Sequence, residues 1–157
     1  MFKHFPLYSI HRQAAKAAEA AECAAEQGAF WEMHDALFEG QGAWSGGQNA
    51  VQTFKNMARD LGLDQAQFDA CLDGGTYTAK VTADYQQGIA DGASSAPTFL
   101  INGTLLVGAY PLEAFQQRID YFVAGGEPPT LVVAADSFRS LGQPDAPVVI
   151  TEFSDFQ

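Results

Sequence analysis

Two cysteines are the first candidates for chemistry in this chain of 157 residues, because a thiolate is both a strong nucleophile and a metal ligand. Cys23 and Cys71 lie 48 residues apart, which fits neither a Cys-x-x-Cys motif nor a zinc pattern. Neither begins a predicted helix, where the helix dipole would lower the thiol pKa, so we do not expect a catalytic pair. Two interpretations remain open: two buried free thiols, or a structural disulfide, which would require an oxidising compartment.

Glu152 is the second candidate, since it interrupts an otherwise apolar strand pattern. If that strand lies at the edge of a sheet, the carboxylate faces solvent. If the strand is buried, desolvation raises the carboxyl pKa, and the group could exchange a proton with a neighbouring thiol. The sequence around Glu152 contains no cysteine, so both interpretations stay open.

The three histidines, His4, His11 and His34, are scattered over predicted strand and helix segments. His34 and Asp35 lie in "FWEMHDALF", where a packed amphipathic helix explains them without a nucleophile. We therefore expect neither a metal site nor a cofactor.

The composition excludes several classes of partner. The net charge of −11 repels phosphate, so a nucleic-acid partner is not expected and anionic membrane surfaces are disfavoured. No apolar run approaches the roughly 20 residues of a membrane-spanning helix, so membrane insertion is not expected. The N-terminal "MFKHFPLYSIH" lacks the long apolar core of a signal peptide.

The elements that must position these residues begin with a strand and a helical block. "FKHFPL" predicts a short strand that Pro6 closes. Helical patterns follow in "SIHRQAAKAAEAAECAAEQG", "AFWEMHDALFEG", "AVQTFKNMARDLGL", "DQAQFDACLDGG" and "TYTAKVTADYQQGIADG", with a loop predicted at "QGAWSGGQ". Asp64 is a candidate N-cap and Gly74 a helix stop. In the fifth helix, the spacing of Val81, Tyr85 and Ile89 predicts the buried face.

The second part of the chain is richer in strands. "APTFLINGTLLVGAY" predicts a hairpin that turns at Asn102-Gly103. "PLEAFQQRIDYFVAGG" predicts a helix, "LVVAADSFRSLGQPDAP" a linker with an edge strand, and "VVITEFSDF" a final strand. The overall class is therefore α/β.

Three of these stretches together resemble the DsbA-type thiol–disulfide oxidoreductases. They are the region from "FPL" to "FWEMHDALF", then "LGLDQAQFDACLDGG", then "APTFLINGTLLVGAYPLEAFQQRID", and the resemblance covers residues 2–123. It implies a thioredoxin-like sheet with an inserted all-helical subdomain. It also implies a polypeptide substrate and a periplasmic or other extracytoplasmic location.

The resemblance implies roles for particular residues. The proline of "APT" is cis in this family and faces the active-site dithiol, which gives Ala96 and Pro97 a substrate-binding role. Without the resemblance, Pro97 is an ordinary trans proline before a strand. A buried glutamate that carries protons lies shortly before the dithiol in the family, and Glu152 holds that place.

The order of the segments is rotated relative to the family. Residues 1–125 resemble its C-terminal portion: a strand, a helical insertion at about 10–92, a hairpin at 98–108 and a helix at 111–124. Residues 126–157 resemble a linker and the family's N-terminal strands, which lead directly into Cys-x-x-Cys. That motif would follow Gln157. A segment of a tandem protein, a circular permutant cut at the active site, and a UGA-encoded selenocysteine misread as a stop all fit this order.

Two expectations about activity and assembly follow. Without Cys-x-x-Cys the chain should be inactive as a dithiol oxidoreductase, and the alternative is a polypeptide-binding, chaperone-like module that works without redox chemistry. The final strand should lie between "FKHFP" and "PTFLI", in its own chain or exchanged with a second one. The helix that covers one sheet face in the family would be missing, and the exposed apolar patch predicts a homodimer.

Overall fold

The computed structural model describes residues 1–126, 141–143 and 145–157. Four strands form one sheet: β1 (Phe2–His4), β2 (Thr98–Ile101), β3 (Thr104–Val107) and β4 (Ile150–Ser154). Their order is β1-β4-β2-β3, with β4 parallel to β1 and antiparallel to β2. The predicted place of the final strand is therefore confirmed, and β4 reaches it within its own chain. The predicted edge strand in "LVVAADSFRSLGQPDAP" lies mostly outside the described residues.

Six helices of the described part connect β1 to β2, and a seventh follows β3. They are α1 (Ala14–Ala25), α2 (Phe30–Glu39), α3 (Gln41–Trp44), α4 (Ala50–Asp60), α5 (Gln65–Gly74), α6 (Thr78–Ala90) and α7 (Leu112–Val123). This is the expected thioredoxin-like sheet with an inserted helical subdomain. Among these helices, none is both long and apolar enough to cross a lipid bilayer.

Helix α1 forms the centre of the helical subdomain. Six alanines on several sides of it are buried, which is typical of a helix that other helices surround: Ala14, Ala17, Ala18, Ala20, Ala21 and Ala24. Small side chains let neighbouring helices approach closely, and Cys23 of α1 forms a disulfide with Cys71 of α5. The structure thus contains the structural disulfide and not the pair of free thiols.

A buried group of charged residues joins β1 to the helices. His4 Nε2 lies 2.8 Å from Glu22 Oε1, and Asp84 Oδ1 accepts a hydrogen bond from Lys3 Nζ at 3.0 Å. The possible ligand atoms of His4, Glu22 and Asp84 lie within 4.8 Å of one another. Because Lys3 and also Lys80, 3.9 Å from Glu22, bring positive charge to these carboxylates, we describe the group as an ion-pair network.

Local signals at turns and caps are confirmed. The Asp64 side chain accepts a hydrogen bond from the Gln67 N–H at 2.9 Å, as expected of an N-cap. Asn102 and Gly103 both have positive φ, 43° and 81°, which matches the two-residue hairpin turn. Helix α5 ends at Gly74, and the next residue, Gly75, is its C-cap with a left-handed φ of 63°.

Three predictions about helices are wrong. The "QGAWSGGQ" loop contains helix α3, because Trp44 is fully buried and its Nε1 donates to the Leu37 carbonyl at 3.0 Å. Helix α1 begins at Ala14, so the residues before it, His11 included, form a loop. Ile89 is 52% exposed, because α6 turns Gly88 toward the sheet, where a Cβ would lie 2.6 Å from a Phe5 ring carbon.

Removal of the disulfide should lower the free energy of unfolding. For the double variant Cys23→Ala/Cys71→Ala we expect a loss of about 2–4 kcal/mol, because the unfolded chain regains the freedom of the 48-residue loop. Denaturant unfolding with and without a reductant measures it. The reductant should destabilise the wild-type chain by a similar amount and leave the double variant unchanged. Equal sensitivity of both proteins to the reductant would contradict this role.

Candidate functional site

A cleft of about 400 Å³ opens at one end of the sheet. Because β1 and β4 are parallel, their carboxyl ends meet at this edge, which is where open α/β sheets place ligand sites. Strand β2 is antiparallel to β4 and therefore begins at the same edge. The residues that line the cleft are Leu7, His11, Phe38, Gln41, Ala96, Pro97, Phe99, Glu152, Ser154, Asp155 and Gln157.

Ala96 and Pro97 form the wall of the cleft where β2 begins. The Ala96–Pro97 peptide bond is cis. A proline has no N–H for a ladder, so it fits the position just before the first strand residue. Its carbonyl accepts a hydrogen bond from the Gly108 N–H at 2.8 Å, and the Thr98 hydroxyl donates to the Ser95 carbonyl at 2.6 Å. Hydrogen bonds to the residue after β3 and to the loop before β2 therefore fix the backbone of this wall.

Glu152 enters the cleft from the middle of β4. The edge-strand interpretation is wrong, because β4 lies between β1 and β2 and the side chain is only partly accessible. Burial raises the pKa of Glu152 above its ordinary value of 4.5. Positive charge on His34, a hydrogen bond from Ser154 and the N-terminal amine act in the opposite direction. A carboxyl group with a raised pKa can hold and release a proton closer to neutral pH.

A histidine–aspartate pair faces the same cleft. His11 lies in the loop between β1 and α1, and Asp155 follows β4 directly. His11 Nδ1 is 2.6 Å from Asp155 Oδ2, and the Asp155 side chain is 2% exposed. The Leu7 N–H donates to the same carboxylate oxygen at 2.9 Å, so Asp155 fixes both the histidine and its loop.

The cleft brings together some of the predicted site residues and not others. Ala96, Pro97 and Glu152 all line it. Cys23 and Cys71 do not: they join α1 to α5 in the helical core, with exposures of 1% and 6%. Their burial and their place in the fold indicate a structural role.

Sequence reasoning missed His11 and Asp155 as a pair. The signal that could have found them is topological, because each follows the carboxyl end of one of two parallel strands. The resemblance predicts the final strand next to "FKHFP", but sequence pattern alone does not show that the polar residues after these two strands meet.

A family model described as "Thioredoxin" matches residues 1–121. The chain belongs to the thioredoxin family. This assignment agrees with the sheet and with the position of the cleft, and it covers all the described elements except β4 and the last residues of α7.

Similar stretches occur in three named Na(+)/H(+) antiporters. The chain is 34% identical over 125 residues to NhaA 1 of Salinispora arenicola, covering 80% of this thioredoxin-family chain and 18% of the relative. It is 35% identical over 119 residues to NhaA 3 of Salinispora tropica, covering 76% and 18%. It is 36% identical over 108 residues to NhaA of Herminiimonas arsenicoxydans, covering 69% and 16%. The chain thus spans less than a fifth of these relatives. No solved structure matches it significantly.

The burial of Glu152 predicts a pH-dependent effect of its replacement. Well below pH 4.5 the carboxyl is protonated in both the folded and the unfolded chain, so Glu152→Gln should change stability little. As the pH rises, the unfolded chain loses this proton first, because the folded pKa is raised. The free energy of unfolding of the wild-type chain therefore falls as the pH rises, until the pH passes the pKa of Glu152 in the folded state. Thermal unfolding should therefore show Glu152→Gln gaining stability relative to wild type as the pH rises above 4.5.

The matched control is Glu113→Gln, which removes an exposed carboxylate from the first turn of α7. Negative charge there favours the helix, so this variant should gain nothing as the pH rises. If Glu152→Gln and Glu113→Gln show the same pH profile, burial does not raise the pKa of Glu152.

Proposed function

We propose that this thioredoxin-family chain is the polypeptide-binding part of a DsbA-type thiol–disulfide oxidoreductase. In this proposal, an extended polypeptide binds beside Ala96 and Pro97, and Glu152 carries protons for the sulfur chemistry. The Cys-x-x-Cys dithiol adjoins Gln157, in the rotated order described above. The observation that carries the proposal is the convergence of Ala96, Pro97 and Glu152 in one cleft at the carboxyl ends of β1 and β4.

The lining of the cleft suits a polypeptide. Leu7, Phe38 and Phe99 offer apolar contacts. The Gln41 amide donates to the Phe156 carbonyl at 2.8 Å, and its oxygen can accept a hydrogen bond from a peptide N–H. Phe38 lines the cleft and is 38% exposed, which leaves an aromatic surface for a ligand side chain. The cleft is open at the end of the sheet, so a chain can cross it without threading.

The reaction in this proposal is thiol–disulfide exchange. A thiolate of the dithiol attacks a disulfide sulfur of the bound polypeptide, a mixed disulfide forms, and the second thiolate resolves it. Each step releases or consumes a proton at sulfur. Glu152, with its pKa raised by burial, can accept and return such a proton within the cleft.

A second candidate function is polypeptide binding without redox chemistry. It is favoured by the state of the described cysteines, since Cys23 and Cys71 are joined to each other outside the cleft. The same binding surface would then serve a chaperone-like role.

Location and assembly belong to the proposal as well. The Cys23–Cys71 disulfide favours an oxidising, extracytoplasmic compartment. We propose a homodimer for the reason given by the resemblance, that a covering helix of the family is absent from the described residues. Strand exchange is not needed for it, because β4 pairs within its own chain.

Insulin reduction by dithiothreitol tests the redox proposal. The chain alone should leave the reaction at its uncatalysed rate, because both of its cysteines are buried in a disulfide. A form extended beyond Gln157 by Cys-x-x-Cys and a helical segment should accelerate the reaction. Its Ala96→Tyr variant should lose most of this gain, because the ring fills the cleft wall.

The control for that substitution is Ala83→Tyr, which places the same ring on the exposed face of α6. It should keep the full rate. If the extended form is inactive although it still binds peptide, the thiol-independent module is the better explanation. Catalysis by the chain alone that disappears in Cys23→Ala would instead assign the chemistry to the helical cysteines and contradict the proposal.

A further inference from the structure

We propose that His11 and Asp155 are a proton-handling pair for the cysteine sulfur of a polypeptide bound in the cleft, an inference that rests on the function proposed above. His11 takes the proton from the bound thiol, and Asp155 is the positioning residue that holds its ring. Glu152 was assigned a proton-carrying role from the resemblance, whereas this pair is assigned from the contacts alone.

Both oxygens of the Asp155 carboxylate have hydrogen-bond partners, which hold the group in place. Oδ2 accepts from the Leu7 N–H at 2.9 Å and faces His11 Nδ1 at 2.6 Å. Oδ1 accepts from the Gln157 N–H at 3.2 Å. The carboxylate therefore cannot rotate away without losing several hydrogen bonds, and the ring of His11 is held with it.

This contact decides which ring nitrogen of His11 is available. A carboxylate accepts hydrogen bonds, so the proton of the neutral ring is assigned to Nδ1 and the lone pair to Nε2. The side chain of His11 is 27% exposed and lines the cleft. No residue in the described part of the chain forms a hydrogen bond with Nε2. An imidazole oriented in this way by a buried carboxylate is the arrangement that activates nucleophiles.

The proposed reaction consists of one proton transfer and one thiol–disulfide exchange. The S–H bond of the bound cysteine breaks as an N–H bond forms at His11 Nε2. The thiolate attacks one sulfur of a disulfide, which the Cys-x-x-Cys segment supplies in its oxidised form. A new S–S bond forms and the leaving sulfur departs as a thiolate, which takes the proton back from the imidazolium. The bound cysteine is oxidised and one sulfur of the disulfide is reduced.

His11 is one of three titratable residues that line the cleft, and it is the basic one. Glu152 and Asp155 of the β4 segment are the other titratable residues that line the cleft, while the contributions from α2, α3 and the start of β2 are uncharged. Tyr8 and Arg12 share the loop of His11 but do not line the cleft. His34 and the N-terminal amine act on Glu152 but do not line the cleft. Within the lining, an imidazolium at His11 would lower the pKa of a bound thiol, while the carboxylates of Glu152 and Asp155 oppose this effect.

The test measures the thiol of a bound peptide. The probe is the pentapeptide Ala-Val-Cys-Val-Ala with blocked ends, alkylated by iodoacetamide over a pH series with saturating protein. Both cysteines of the protein are in a disulfide, so only the peptide thiol reacts. For wild type we expect the alkylation midpoint to fall from about pH 8.5 to below about 7.5. His11→Asn keeps an N–H donor for Asp155 but has no ring base, and it should return the midpoint toward that of the free peptide.

Ile10→Val is the control, since Ile10 is next to His11 but is 66% exposed and does not line the cleft, and the substitution keeps the Leu7 N–H that Asp155 accepts from. It should retain the lowered midpoint. Binding is measured separately with the serine version of the peptide. If that peptide does not bind, the proposed function fails and this inference with it. If it binds but the wild-type midpoint equals that of the free thiol, or His11→Asn leaves the lowered midpoint unchanged, the inference is overturned while the proposed function stands.

Discussion

The backbone ladder that holds β4 between β1 and β2 is the interaction on which the rest of the structure depends. The Glu152 N–H donates to the Met1 carbonyl, and the Phe5 N–H donates to the Ser154 carbonyl, each at 2.7 Å. On its other side β4 pairs with β2 from Ile150 to Phe153. Without β4, the donors and acceptors of these two strands would face each other across the width of a missing strand. The same ladder sets the positions of Glu152 and Asp155, so the cleft depends on the same strand pairing as the sheet.

Buried charges then tie the loops and helices to this sheet. A carboxylate removed from water costs several kcal/mol unless it is paired, so each buried acid requires a partner at a defined place. Glu22 meets His4 and Asp84 meets Lys3, both at β1, while Asp155 meets His11. These contacts fix where the loop after β1 runs. That loop carries the imidazole into the cleft, so an electrostatic requirement of folding also places a chemically useful group.

Much of the fold could be predicted from local patterns, because Asp64, Asn102 and Gly103 act through their own backbone conformations. The place of β4 needed the resemblance. The errors arise where long-range packing overrides periodicity: Gly88 brings α6 close to Phe5 and turns Ile89 outward, and the burial of Trp44 makes a helix of a glycine-rich segment.

At the site, the positions of Glu152 and Pro97 in the sequence were enough to predict them as site residues. The His11–Asp155 pair was not, because it joins residues 144 apart and depends on parallel strand pairing.

The central claim is that a polypeptide binds at the cleft where β1 and β4 end. Backbone amide chemical-shift mapping of the chain during titration with the serine peptide tests this most directly, since it needs no catalysis and no reactive thiol. We predict that the largest changes fall on His11, Ala96, Thr98 and Asp155, on both sides of the cleft. Changes confined to the exposed apolar residues of α7, such as Leu112 and Tyr121, would contradict the claim and move the binding surface to that helix.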